Sequence, residues 1–213
     1  MSEPSSAARR RGRGARERIL AAATKLFTAQ GINATGMEQL TSVAGVSKRT
    51  LYTHFDGKDG LVHAYLQQLE DGLLPSRDDD RDPREQLLAV FDPKPRDTDG
   101  PIRGCPFLNA AVEVPDPEHP VHRLVSAYKK EFSRRLAEIA RRAGARDPEH
   151  LGEQLALLYD GAVARATALD SEDTGASARE IAALLVDAAL ADPAGQGQRH
   201  PGRGPDPSGV AGR

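Results

Sequence analysis

Apolar positions recur at helical spacing along most of this chain. Ile19, Ala22, Ala23, Leu26 and Phe27 form the first stripe, and Gly31 ends it as a carboxyl-terminal cap would. Thr35 and Glu38 stand three apart ahead of Leu40, the spacing of a capping box, so a second helix is predicted over about 36–44. Gly45 supplies a sharp turn, Val46 turns inward, and Ser47 is placed to cap a third helix running through Leu51 to about Phe55. Leu61, Tyr65, Leu66, Leu69 and Leu73 carry a fourth helix as far as Pro75.

The same periodicity continues beyond an acidic loop at 78–82. Asp82-Pro83 places a cap and a first-turn proline ahead of Leu87, Leu88 and Phe91, the fifth helix. A proline-rich connection over 92–104 precedes a short sixth helix from Pro106 to about Val114. The seventh carries a wide stripe from Val121 through Leu124, Val125, Tyr128, Phe132 and Leu136 to Ala140, and the eighth starts at Asp147-Pro148. Ser177 and Glu180 form a second possible capping box, opening a ninth helix with Ile181, Leu184, Leu185 and Ala188. No strand pattern occurs, so the fold class is all-α with nine helices in two domains. The expected division is a disordered basic arm over 1–14, a helix-turn-helix unit over 15–57, a helical body over 58–192 and a disordered Gly/Pro-rich tail over 193–213.

Charge sharpens this division. Residues 1–63 hold ten basic against five acidic side chains, whereas residues 64–192 hold 16 against 25, so an overall charge of −2 conceals a basic amino-terminal unit on an acidic body. That asymmetry points to a polyanion partner for the first unit alone. No apolar run approaches the roughly 20 residues that span a bilayer, and the polar first 14 residues do not read as a secretory signal, so a soluble cytoplasmic protein with no membrane partner is expected. One cysteine, Cys105, excludes an internal disulfide. An enzyme is not expected: no nucleophile with a base, phosphate-cradling glycine loop or paired acids appears. His119 and His122, beside Glu118, lack a third ligand, so neither a metal site nor a cofactor is expected.

Arg16-Glu17-Arg18-Ile19-Leu20, with Phe27, Gly31 and Thr35 behind it, leads into Ala44-Gly45-Val46-Ser47-Lys48-Arg49-Thr50-Leu51-Tyr52-Thr53-His54-Phe55 and then Lys58. This stretch resembles the amino-terminal domain of the TetR family of bacterial transcriptional repressors. It spans about 48 residues in which apolar, glycine, hydroxyl and aromatic positions all fall in register. In such a unit Ser47 begins the recognition helix, whose first-turn amides and dipole face the DNA backbone. Lys48, Arg49 and Thr50 occupy the turn that enters the major groove, where Lys or Arg can donate to guanine O6 and N7. Tyr52 and His54 have polar tips suited to phosphate oxygens. The resemblance gives Thr35 and Lys58 matching phosphate roles. Arg49 stands where many members of the family carry glycine.

The resemblance further implies a small-molecule pocket in the body whose filling tilts the fourth helix and separates two recognition helices. Its expected lining is Leu66, Leu69, Leu88, Phe91, Phe107, Asn109, Glu113, Tyr128, Phe132 and Tyr159. Asn109 and Glu113 stand out because polar groups among apolar neighbours need partners, which an effector can supply. A single helix-turn-helix unit makes too few contacts for tight binding, so a homodimer on a palindromic double-stranded operator is expected. Its interface is assigned to the Ala- and Leu-rich faces of helices eight and nine. Repression is the expectation from the family. Two alternatives stay open: a thiol-redox sensor acting through Cys105 in an accessible Gly104-Cys105-Pro106 helix start, and a DNA-bound adaptor with a filled core and no ligand.

Overall fold

The computed structural model describes residues 6–76, 79–92, 104–171 and 174–191, with backbone alone at 6–13 and 71. Among these residues there are nine helices and no strand: α1 (Ser6–Gln30), α2 (Met37–Ala44), α3 (Lys48–His54), α4 (Gly57–Leu73), α5 (Pro83–Ala89), α6 (Pro106–Glu113), α7 (Pro120–Arg142), α8 (Pro148–Leu169) and α9 (Thr174–Leu190). The tail over 193–213, the first five residues and most of the connection after Asp92 lie outside the described residues.

Three local expectations are corrected. Residues 6–14, assigned from composition to a disordered arm, continue α1. Ala and Arg are good helix formers, and extending a nucleated helix adds one hydrogen bond per residue ordered. Thr35 and Glu38 form no capping box, because the N-cap of α2 is Gly36 with no side-chain bond. Thr35 is wholly buried and its hydroxyl donates to Gly31 O at 2.7 Å. Ser177 and Glu180 form none either, since α9 already begins at Thr174.

Other ends follow local chemistry as expected. Asp82 accepts from the Arg84 amide at 2.9 Å ahead of Pro83, and Asp147 accepts from the His150 amide at 3.0 Å ahead of Pro148. Helices α7 and α8 form the spine of the body. Gly152 lets them approach closely, since a Cβ there would lie 2.7 Å from the Ala137 amide nitrogen and 2.8 Å from Ser133 O. Arg84 grips Asp187 with two bonds of 2.8 and 3.1 Å, fixing α9 to α5.

One buried cluster runs from Ile19, Phe27, Leu40 and Leu51 through Leu61, Tyr65 and Leu66 of α4 into Leu88, Phe107, Phe132 and Leu155. Helix α4 therefore belongs to both units, and any tilt of it moves the α1–α3 unit relative to the body.

Candidate nucleic-acid interface

The turn before α3 is built from backbone. Gly45 adopts φ +61, in the left-handed region, and the Gly45 and Val46 amides donate to Ser42 O and Thr41 O. Ser47 then caps α3: its hydroxyl oxygen accepts from the Thr50 amide at 3.0 Å and lies 2.8 Å from the Thr50 hydroxyl. Arg18 donates from Nε to Ala44 O at 3.2 Å, and the Arg16 guanidinium lies 5.3 Å from the centre of the Phe55 ring, so α1 braces both helices. Leu51 and Phe55 are buried, which leaves the opposite face of α3 outward.

That outward face carries most of the expected DNA contacts. Ser47, Lys48, Arg49 and Tyr52 are exposed, while Thr50, His54 and Lys58 are half-buried. Among the described residues no hydrogen bond or ion pair engages the Arg49 guanidinium; only its carbonyl is used, by the Thr53 hydroxyl at 2.8 Å. Lys48 is tied to Glu38 of α2 at 2.6 Å, which holds the Glu38 carboxyl below its ordinary range. Lys58 reaches Asn33 O at 3.4 Å. Thr35 is turned away: its hydroxyl donates to Gly31 and accepts from Gln30 Nε2 at 3.2 Å.

Two family models match this chain. One, described as bacterial regulatory proteins of the tetR family, covers residues 19–65; the other, described as the tetracyclin repressor-like C-terminal domain, covers residues 85–182. The chain belongs to the TetR family of transcriptional regulators, which are DNA-binding proteins and not enzymes. A TetR-type regulator from Streptomyces avermitilis (SAV143) is 36% identical, with a TM-score of 0.69 over 82% of this chain and 97% of that one. SCO4454, a TetR-family regulator from Streptomyces coelicolor, is 31% identical, with a TM-score of 0.72 over 84% of this chain and 97% of that one. Among curated relatives, the transcriptional activator FasR of Mycolicibacterium smegmatis is 42% identical over 59 residues, 28% of this chain and 27% of FasR.

The residues expected to line an effector pocket in this TetR-family chain do meet in the body, but they pack on one another. Phe107 and Tyr128 stack at 3.6 Å, Phe132 and Tyr159 lie 5.1 Å apart, and Phe91 contacts Tyr159 at 6.2 Å. Leu66 and Leu88 are buried beside them, with Leu69 half-buried. Burial pushes the Tyr159 hydroxyl up to about 12. A cavity of about 150 Å³ lies to one side, between the end of α4, α5 and α7, and shares Phe132 with the expected set.

Glu113, expected among the pocket residues, is spent elsewhere. Its carboxylate accepts from the Ile32 amide at 3.0 Å and the Asn33 amide at 2.5 Å. A buried-looking polar group did need a partner; the chain's own backbone provides it. Asn109 and Glu113 border a space of about 20 Å³, room for one water.

Cys105 is buried at 7% exposure, correcting the expectation of an accessible thiol. Lys129 Nζ lies 3.8 Å from its sulfur and is itself paired with Asp160. His119 accepts from the Val121 amide through Nδ1 at 3.2 Å, capping α7, which leaves Nε2–H to donate to Asp59 at 3.3 Å. His122 bonds Val114 O at 3.0 Å. Among the described residues no cluster of three metal-ligating side chains forms, and no helix is long and apolar enough to cross a membrane.

Proposed function

We propose that this regulator is a cytoplasmic repressor that binds a palindromic operator as a homodimer and is released by a small apolar or amphipathic effector. The observation that carries the reading is the α3 surface: Lys48, Arg49 and Tyr52 exposed together on the first two turns, over a buried Leu51. In this reading Lys48, Arg49 and Thr50 reach base edges, and Ser47, Tyr52, His54 and Lys58 hold phosphates. Thr35 acts only by shaping the turn before α2.

The dimer reading is supported by apolar side chains left outside on α8 and α9. Leu157 is 74% exposed, Leu184 72%, Leu169 55% and Ile181 48%, an uncovered area that a second copy's equivalent face would bury. The effector reading is supported by the open pocket of about 150 Å³ against Phe132, whose lining sets Leu73, Val90 and Ile139 beside Asp79 and Gln86, a mixture suited to an amphipathic molecule. A larger effector would have to part the Phe107, Tyr128 and Tyr159 rings, drawing on Leu66, Leu69, Leu88 and Phe91 as their surround.

The test is titration of the full chain against DNA selected from random sequence, with and without small aromatic and amphipathic compounds, and a promoter reporter carrying the selected site. Sequence-specific binding that a compound weakens, with reporter output rising, supports the reading. Binding that no compound alters contradicts the effector part, and reporter output that rises when the protein binds contradicts repression.

A further inference from the structure

Glu113 forms the polar junction between the body and the turn that joins α1 to α2. Gly31, at φ +92, turns the chain out of α1 and leaves the successive amides of Ile32 and Asn33 facing one point. Such paired amides form a concavity that takes an anion. The two carboxylate oxygens of Glu113, at the end of α6, fill it at 3.0 and 2.5 Å, and Asn33 Nδ2 returns a bond to Glu113 O at 3.0 Å. Lys58, on α4, approaches the same turn through Asn33 O at 3.4 Å. Glu113 thus makes three hydrogen bonds between the turn after α1 and the chain beyond α4.

The helix-turn-helix unit is held on the body by the shared helix α4, packed through Tyr65 and Leu66, and by this junction on α6. Helix α4 alone leaves the unit a hinge. The junction adds a second point of attachment, on another helix of the body, which fixes its angle.

We propose that Glu113 is a positioning residue for DNA binding: by gripping the Ile32–Asn33 turn it sets the angle of α3 on the body, and so the separation of two recognition helices. The inference rests on the homodimer reading above. Glu113 touches no base, so its loss leaves half-site recognition by Lys48 and Arg49 intact. What changes is tolerance of half-site separation, because two units on single hinges can follow operators that two rigid units reject.

The experiment uses the full chain and duplexes carrying two copies of its selected half-site at stepwise separations. Wild type is compared with Glu113→Ala, Glu113→Gln and Asn33→Ala; the last removes one exposed donor and keeps a folded reference if the others fail to fold. The expected result is a loss of about fivefold or more in the preference for the optimal separation, the low end of ordinary coupling between sites. Half-site base preference should be unchanged. Variants that keep the wild-type separation profile overturn the proposal. So does a uniform loss at every separation that tracks a lowered melting temperature, which marks a folding contact only. A wild type without any preferred separation removes the dimer reading itself, whereas a sharp wild-type profile shared by all variants removes the Glu113 proposal alone.

Discussion

Lys48, in the first turn of the recognition helix, is held at 2.6 Å by Glu38 of the preceding helix. The pair is exposed on both sides, so it contributes little to stability and mainly stations a cation and an anion where DNA phosphates would approach. Glu38→Gln frees the ammonium and removes a repelling carboxylate. Affinity should rise for every sequence as the repelling carboxylate goes, and most for those that offer the freed Lys48 ammonium a guanine. The salt dependence should steepen by up to about 0.9, the increment for one more neutralised phosphate charge. Titrations at several salt concentrations check this; an unchanged affinity and slope would mean the pair already opens without cost.

Ser47→Ala removes the oxygen that accepts from the Thr50 amide. Loss of such a cap costs about 1 kcal/mol. Denaturant unfolding should show a lower midpoint with an unchanged slope, and DNA affinity should fall with it as the first turn of α3 frays. A midpoint equal to wild type would show that the Thr50 amide finds water as readily.

Leu157 and Leu184 lie bare on α8 and α9. Leu184→Asp should halve the mass measured by sedimentation at micromolar concentration and reduce binding to two-half-site DNA far more than to one half-site. An unaltered mass, or a wild type that sediments as a monomer, contradicts the assigned interface.

The Glu131 carboxyl is held at about 2 by hydrogen bonds from Arg134 and then Arg135, and Arg135 also donates to Pro75 O at 3.0 Å. The folded-state value lies below the unfolded one, so the stabilisation is complete above the ordinary carboxylate range and is lost as pH falls towards about 2. Glu131→Gln should flatten stability against pH between 4.5 and 2 in acid titrations followed by circular dichroism. An acid limb as steep as wild type's would assign that pH dependence to other carboxylates.

The parts of this fold legible in the sequence are those fixed by near neighbours. Gly45 and Ser47 act within four residues, and the stripes of α1, α4 and α7 follow a fixed period. Arg9 to Arg13 read as disordered because composition registers their lack of apolar surface and not the helix already formed behind them. Thr35 misled because a hydroxyl three residues before a Glu fits a cap, yet an equally short path leads back to Gly31 O. The site was legible in α3, where a buried Leu51 settles which face looks outward. Neither Glu38, ten residues from Lys48, nor the Ile32 amide, 81 residues from Glu113, leaves a local signal. A polar Glu113 among apolar neighbours announced a partner without naming it.

The central claim is that the first turn of α3 reads DNA sequence. It is tested most directly by selecting bound duplexes from random DNA with wild type, Lys48→Ala and Arg49→Ala. Arg49, free of intramolecular partners among the described side chains, should prove a base reader: its loss should relax preference at one position of each half-site by about 1 to 3 kcal/mol while other positions hold. If both variants select the same sequences as wild type, with affinity lowered equally for all, the turn only grips phosphates and the claim fails.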